Sequence, residues 1–177
     1  IEWAKGLIGE GDNVGKLVEK GKSAFAGPEL QGKTIGATPD GRLAGEPVAD
    51  NASPMVGRDV TSPTATIKSI ASIDQCDCNN GALFNIKFDP NIVQGEQGKE
   101  ILKNVIESYF KMNGEHIQIN VVDASTLEDA QEHPQEYKNL LVRVAGYSAY
   151  FIELDKEVQD NIIGRTEHKN VGGCCGC

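Results

Sequence analysis

Glycine and proline crowd the stretch between residues 27 and 63, and this stretch limits the fold of the chain more than any other feature. The 177 residues include 20 glycines and 7 prolines, and many of them lie in this region. Glycine loses more backbone entropy than any other residue on folding, and proline lacks the amide hydrogen that helices and strands use. We therefore predict a long ordered loop over residues 34–60, with a turn at Pro39-Asp40-Gly41. We expect this irregular first third of the chain to pack against structure that this chain does not supply.

The rest of the chain alternates between strand and helix periodicity. Apolar and polar residues alternate over 82–88 and again from Ile117 to Val121, which predicts two strands. A stripe of apolar residues predicts a helix over 97–112. The residues of this stripe are Ile101, Leu102, Val105, Ile106, Tyr109 and Phe110. We also expect a helix capped by Ser62, with Ile67, Ile70 and Ile73 on one face, and a helix that begins with a Ser125/Glu128 capping box. A buried strand should follow over 140–144, and then a helix capped by Asp155 that buries Val158, Ile162 and Ile163. This order of elements indicates an α/β domain.

Charge and cysteine usage limit the partners and the compartment. The net charge is -9 and the pI is near 4.8, which argues against nucleic acid and anionic membrane surfaces as partners. No apolar run approaches the roughly 18 residues of a membrane-spanning helix. The number of cysteines is odd, and the sequence shows no secretory signal, which favours a reducing cytoplasm over a disulfide framework. A first residue other than Met favours a piece of a longer chain.

Metal-ligand patterns are weak in this sequence. Cys174, Cys175 and Cys177, together with Cys76 and Cys78, could offer sulfur ligands to zinc or an iron–sulfur cluster, but their spacing matches no standard pattern. We interpret the tail as frayed and predict no bound metal. His116 opens a strand, whereas His133 and His168 stand in helix-end contexts, and none has a partner at ligand spacing. We interpret all three histidines as structural or exposed.

Gly146 follows the 140–144 strand, and its context suggests more than a turn. Taken alone, it is a glycine that supplies positive φ. A series of short motifs from Thr34 to His168, however, resembles the C-terminal domain of the glycyl radical enzymes, the family of pyruvate formate-lyase and its dehydratase and lyase relatives. The motifs are Gly36-Ala37-Thr38-Pro39-Asp40-Gly41-Arg42, Ser53-Pro54-Met55, Ser62-Pro63-Thr64-Ala65, Asn80-Gly81-Ala82-Leu83-Phe84-Asn85, His116-Ile117-Gln118-Ile119-Asn120-Val121-Val122, Asp129-Ala130-Gln131 with Pro134, Arg143-Val144-Ala145-Gly146-Tyr147, and Arg165-Thr166-Glu167-His168.

The resemblance implies a radical stored on the α-carbon of Gly146, with Arg143 and Tyr147 supporting the radical loop. It implies three segments: a lead segment of a larger barrel over 1–33, a glycine radical domain over 34–168 and a Gly/Cys-rich tail over 169–177. The complete enzyme would be a ten-stranded α/β barrel of the dehydratase and lyase branch, working in an anoxic cytoplasm. Its partners would be a radical S-adenosylmethionine activating enzyme and the part of the enzyme that carries the thiyl cysteine. Neither Cys76 nor Cys78 aligns with that cysteine, so we expect this chain alone to be inactive.

Two alternatives to this interpretation stay open. A stand-alone repair domain, which replaces a radical segment cleaved by oxygen, would have a similar length and would also lack the thiyl cysteine. A metal-binding structural module would keep the fold and have lost the radical. The intact sequence around Gly146 argues against the structural module.

Overall fold

The structure is a computed structural model that describes residues 31–39, 41–78 and 81–170. The chain divides into a unit that ends at Val48 and a unit that begins at Ala49. The lead segment before residue 31 and the tail after residue 170 lie outside the described residues. Within the described ranges, no helix combines the length and the apolar character needed to cross a membrane.

After two helical residues at 31–32, the described part of the first unit is an irregular loop whose carbonyl groups surround the guanidinium of Arg42. This side chain is 2% exposed, and it donates to the carbonyl oxygens of Glu46 at 2.6 Å, Leu43 at 3.1 Å and Ile35 at 3.4 Å, and also to that of Gly36. The four carbonyl groups belong to exposed residues, whereas Arg42 is buried, so the loop supplies the acceptors that a buried guanidinium requires. The loop predicted from glycine and proline content is confirmed as an ordered segment without helix or strand from residue 33 to residue 39 and from residue 41 to residue 61.

The second unit contains a parallel sheet of three strands, with helices before and between them. In chain order its elements are α1 (Pro63–Ile70), β1 (Leu83–Phe88), α2 (Gly95–Lys111), β2 (His116–Val121), α3 (Ala124–Glu132), β3 (Leu141–Arg143), β4 (Ser148–Tyr150), α4 (Lys156–Gly164) and β5 (Glu167–His168). Strand β1 is central, and β2 and β5 flank it in parallel. Helix α2 makes the crossover from β1 to β2, since parallel neighbours cannot be joined by a tight turn.

The core lies between β1, α1 and α2. It comprises Ile67, Ile70, Phe84, Ile86, Phe88, Val105 and Tyr109. The rings of Phe84 and Tyr109 are 5.5 Å apart, and the Tyr109 hydroxyl donates to Gln75 Oε1 at 3.1 Å. The Gly114 amide donates to the carbonyl of Tyr109 at 3.0 Å, which brings Gly114 so close to the ring that an added Cβ would lie 2.4 Å from it. The predicted strands over 82–88 and 117–121, and the helix over 97–112, are therefore confirmed.

Several details of the predicted pattern are wrong. Ile73 lies beyond the end of α1 and is 48% exposed, because the helix stops at Ile70. Phe110 is 49% exposed, because only Val105 and Tyr109 of the predicted stripe point fully into the core. Residues 140–144 form a strand of only three residues, in which Leu141 is 58% exposed.

The helix caps agree with the predictions in two of three places. Ser62 caps α1 by accepting from the amide of Ala65, as predicted. Asp155 is the N-cap of α4, although its side chain makes no cap hydrogen bond. For α3 the predicted Ser125/Glu128 box is wrong, because Asp123 is the N-cap and its carboxylate accepts from the amide of Thr126 at 2.7 Å. An aspartate two residues earlier thus takes the position assigned to the serine.

Candidate functional site

Gly146 lies in the loop of a short hairpin. Strands β3 and β4 pair in antiparallel register, with Arg143 opposite Ser148. The amide of Val144 donates to the carbonyl of Tyr147 at 2.9 Å, so the connection consists of Ala145 and Gly146. Gly146 has φ +77°, a value that a two-residue hairpin loop commonly requires and that glycine adopts without strain. The prediction of a positive-φ turn glycine is confirmed.

The surroundings of Gly146 leave its α-carbon accessible among the described residues. Beyond its two chain neighbours, a Cβ built on this glycine would meet no described residue within 4 Å, whereas a Cβ on Gly114 would overlap a buried ring. Gly146 itself is exposed. One of its two Cα–H bonds therefore points into open space. Backbone conformation, rather than crowding, is what makes a side chain unfavourable here.

Two side-chain amides of β2 connect the hairpin to the sheet. Gln118 and Asn120 are two residues apart on one strand, so they project from the same face. Gln118 Oε1 accepts from the amide of Gly146 at 3.1 Å. Asn120 Oδ1 accepts from the amide of Arg143 at 2.9 Å, and its Nδ2 donates to the Arg143 carbonyl at 2.8 Å. The side-chain amide of Asn120 thus makes the two hydrogen bonds that the backbone of a neighbouring strand would make to Arg143 of β3.

Arg165 holds the same hairpin from the C-terminal end of α4. Its Nη2 donates to the Val144 carbonyl at 2.9 Å, and its Nη1 lies 3.3 Å from the Arg143 carbonyl. The guanidinium also contacts Asp50 at 3.4 Å, and Asn85 donates to the same carboxylate at 2.8 Å. Burial raises the pKa of Asp50, although the charge of Arg165 and the hydrogen bond from Asn85 act in the opposite direction.

The structure places both predicted supporting residues in the hairpin. Arg143 is half-buried, and its Nη1 donates to Ser148 Oγ at 3.1 Å across the two strands. Tyr147 is half-buried, and its carbonyl closes the loop by accepting from Val144. The contacts at Gln118, Asn120 and Arg165 were not predicted as site contacts. The signal for the two amides was present, because polar residues recur at every second position among the isoleucines of β2.

A second polar cluster joins β5 to the segment before α1. His168 is 5% exposed, and its Nε2 lies 3.3 Å from Asp59 Oδ2. The predicted helix-end position of His168 is wrong, because α4 stops at Gly164 and His168 belongs to β5. Burial raises the pKa of Asp59, but the neighbouring polar groups of His168, Thr166 and the Asp59 backbone together lower it below the ordinary value. His116 and His133 are exposed, as predicted.

Lys87 is a buried cation in the central strand and is 1% exposed. Its ammonium donates to the carbonyls of Ile163 at 2.8 Å and Ile162 at 3.4 Å, near the C-terminus of α4. Burial lowers the pKa of Lys87. A cation at this helix end satisfies carbonyls that have no partner within the helix and complements the helix dipole. Lys87 therefore fixes the helix whose last residue precedes Arg165.

The cysteines in the described ranges form no metal centre. Cys76 is exposed, Cys78 is half-buried, and both are free thiols. Within residues 31–39, 41–78 and 81–170, no group of three or more histidine, cysteine or acidic side chains is arranged to hold a metal ion. The weak candidates Cys174, Cys175 and Cys177 lie outside the described residues.

Comparison with known proteins gives a consistent result. A family model described as glycine radical matches residues 48–152. Trans-4-hydroxy-L-proline dehydratase of Clostridioides difficile is 49% identical over 136 residues, which are 77% of this chain and 17% of that protein. The 4-hydroxyphenylacetate decarboxylase glycyl radical subunit of Clostridioides difficile (strain CD196) is 42% identical over 142 residues, which are 80% of this chain and 16% of that protein.

A solved structure agrees with these relatives. The glycerol-bound B12-independent glycerol dehydratase from Clostridium butyricum matches with a TM-score of 0.78 and 48% identity, over 81% of this chain and 18% of that one. The chain thus spans less than a fifth of the length of the relatives it matches.

Proposed function

This chain belongs to the glycine radical family, and from that premise we propose that Gly146 is the residue that stores the radical. The observation that carries the proposal is the combination found at this glycine: a hairpin loop, φ +77°, and an α-carbon with open space in the side-chain direction. A radical centre on glycine is near-planar and shares its spin with both neighbouring peptide groups. A side chain would hinder that arrangement, and an exposed Cα–H is accessible to the enzyme that removes the hydrogen atom.

The surrounding residues fit this role because they fix the loop without covering it. Asn120 and Arg165 hold the backbone of Arg143 and Val144, on the strand side of the loop. Gln118 holds the amide of Gly146 itself. Arg143 and Tyr147 would contribute to the shape of the hairpin rather than to the chemistry. Groups that are positioned by rigid elements keep a reactive atom in a defined place.

In the complete enzyme, we propose that the stored radical takes a hydrogen atom from a cysteine outside this chain, and that the resulting thiyl radical attacks the substrate. That enzyme would be a ten-stranded α/β barrel lyase or dehydratase that cleaves a C–O, C–N or C–C bond. A radical S-adenosylmethionine enzyme would activate it in an anoxic cytoplasm. The support is the identity to a dehydratase and to a glycyl radical subunit of a decarboxylase.

Electron paramagnetic resonance after strictly anaerobic incubation with an activating enzyme and S-adenosylmethionine tests the assignment. Gly95→Ala is the matched control for Gly146→Ala, because Gly95 has φ +65° and likewise has no atom within 4 Å of an added Cβ. Both substitutions cost roughly 1 kcal/mol of backbone strain. We expect a doublet in the unsubstituted protein and in Gly95→Ala, and none in Gly146→Ala.

Exposure to oxygen gives a second readout for the same samples. The activated protein should be cleaved at Gly146, as judged by the masses of the two products, and Gly146→Ala should remain intact. A doublet that persists in Gly146→Ala would place the radical on another residue and contradict the assignment.

A further inference from the structure

We propose that Gln118 is a positioning residue that stabilises the radical form of Gly146 through its hydrogen bond to the Gly146 amide. The inference rests on the proposed function and extends it to a residue of β2. It assigns Gln118 an electronic effect on the radical, in addition to any effect on the docking of the hairpin.

The contact joins the candidate radical residue to a rigid part of the fold. Gln118 Oε1 accepts from the Gly146 amide, with 3.1 Å between the oxygen and the nitrogen. Gln118 lies in the middle of β2, opposite Asn85 of β1, and all six residues of β2 are in register with β1. The acceptor oxygen is therefore supplied by a half-buried side chain on an anchored strand rather than by another loop. An acceptor positioned in this way need not reorganise when charge develops at its partner.

The amide nitrogen of Gly146 takes part in the delocalisation of the radical. When the α-carbon carries an unpaired electron, the amide nitrogen donates part of its lone pair toward the half-filled orbital. The N–H group becomes more positive than in the closed-shell peptide, and a hydrogen bond from it to an acceptor becomes stronger. Gln118 thus binds the radical form more tightly than the closed-shell form. Only such a difference between the two forms can shift the reactivity of the site.

The backbone angle at Gly146 indicates which peptide plane is held. At φ +77° the carbonyl carbon of Gly146 lies far out of the plane of the Ala145–Gly146 peptide, whereas full delocalisation requires that the radical centre and this plane be coplanar. Rotation about the N–Cα bond, with the residues after Gly146 moving to follow it, would bring them together and leave the N–H direction unchanged. The hydrogen bond to Gln118 can therefore persist through that rotation and hold the peptide plane with which the spin is shared.

Docking of the hairpin depends on other contacts as well. Asn120 makes two hydrogen bonds to the backbone of Arg143, and Arg165 donates to the carbonyl of Val144. These bonds hold the strand before the loop, whereas the bond from Gln118 reaches Gly146 itself. Loss of Gln118 therefore removes the contact to the spin-bearing residue and leaves the strand contacts in place.

The test compares Gln118→Leu with Gln118→Glu in the natural polypeptide that carries this chain. Leucine removes the acceptor, and glutamate retains one. Gln131→Leu is the matched control, because Gln131 is also half-buried but donates to Asp160 on α4, away from the hairpin. Each protein is labelled with nitrogen-15 glycine and activated anaerobically. Among the labelled residues, only the spin-bearing glycine contributes a nitrogen-15 hyperfine coupling, so the label reports spin density at Gly146.

The second readout is the rate at which dithiothreitol quenches the signal. In this step the thiol S–H bond breaks, a Cα–H bond forms at Gly146, and the unpaired electron moves to sulfur. Loss of one hydrogen bond should accelerate quenching by about two- to tenfold in Gln118→Leu. The nitrogen coupling should decrease in the same variant, since less spin is shared with the nitrogen. Gln118→Glu should restore both values to those of the unsubstituted protein or beyond, and Gln131→Leu should leave both unchanged.

The outcomes separate this inference from the proposed function. A doublet in the unsubstituted protein, with coupling and quenching unchanged in Gln118→Leu, overturns the inference and leaves Gly146 as the radical residue. If neither Gln118 variant forms a radical while Gln131→Leu does, Gln118 acts by docking the hairpin alone, and the inference is wrong. Absence of a doublet in the unsubstituted protein overturns the assignment of Gly146 and this inference with it.

Discussion

The replacement of Asn120 by alanine should loosen the hairpin that carries Gly146. Asn120 is 6% exposed and makes two hydrogen bonds to the backbone of Arg143, at 2.8 Å and 2.9 Å. Each bond contributes about 0.5–1.5 kcal/mol net, so the pair contributes about 2 kcal/mol. The net value applies rather than the larger penalty for buried unpaired groups, since Arg143 is half-exposed and its carbonyl also accepts from Arg165 at 3.3 Å. A loss of about 2 kcal/mol corresponds to about a thirtyfold increase in local opening.

Native-state amide hydrogen exchange measures that opening directly, without assuming that the whole polypeptide unfolds in one step. The informative amides are those of Val144 and Phe151, which donate to Tyr147 at 2.9 Å and to Leu140 at 2.8 Å in the hairpin. Both should exchange about thirtyfold faster in Asn120→Ala, while the amides of β1 keep their rates.

Asn91→Ala is the matched control, since Asn91 is exposed and its side-chain amide bonds to Asp89, outside the hairpin. If the Val144 and Phe151 amides exchanged at the same rate in Asn120→Ala and Asn91→Ala, the hydrogen bonds from the Asn120 side chain would not stabilise the hairpin. Equal rates would refute the role of Asn120 in holding the hairpin.

Two further predictions concern the core and the polar cluster at β5. Gly114→Ala places a methyl group 2.4 Å from the ring of buried Tyr109 and should lower the free energy of unfolding in urea by about 1–3 kcal/mol. Gly36→Ala is the control: its methyl group meets nothing within 4 Å, and the free energy of unfolding should change by less than about 0.5 kcal/mol. Equal effects of the two substitutions would contradict the close packing of Gly114 on Tyr109. Burial raises the pKa of Asp59, but His168, Thr166 and the Asp59 backbone together lower it below 3.8, so the stabilising contribution of this carboxylate is full above pH 3.8 and is lost as the pH falls through the lowered value. Asp59→Asn should therefore decrease stability at neutral pH and flatten the acid side of the unfolding profile, and an unchanged acid slope would refute this role.

The fold was predictable where one local signal decided the outcome. The alternation from residue 82 and the stripe of residues 97–112 gave a strand and a helix because apolar side chains of a single period must share a face. The proline after Ser62 fixed a helix start for the same local reason. Errors arose where neighbours compete, as at α3, where Asp123 and Ser125 are both good caps and only the path of the backbone selects Asp123.

The candidate site was predictable at its centre and not in its support. Gly146 was recognised through resemblance, and its positive φ followed from its position after a strand. The bonds from Gln118, Asn120 and Arg165 join segments separated by 21 to 28 positions along the chain, so sequence spacing alone does not reveal them. The burial of Lys87 escaped for a related reason, since its partners lie 75 and 76 positions away.

The attachment of the hairpin through side chains also limits insertions and deletions. Two strands joined by a backbone ladder can slide past each other, because every residue offers the same donor and acceptor. Asn120 and Gln118 instead bond to the residue at position 143 and to the residue at position 146. A single residue inserted between positions 143 and 146 would place a different amino acid opposite Gln118 and move the glycine away from its left-handed backbone angle. These side-chain hydrogen bonds therefore fix the number of residues in the hairpin, and its length is as much a property of the site as the glycine within it.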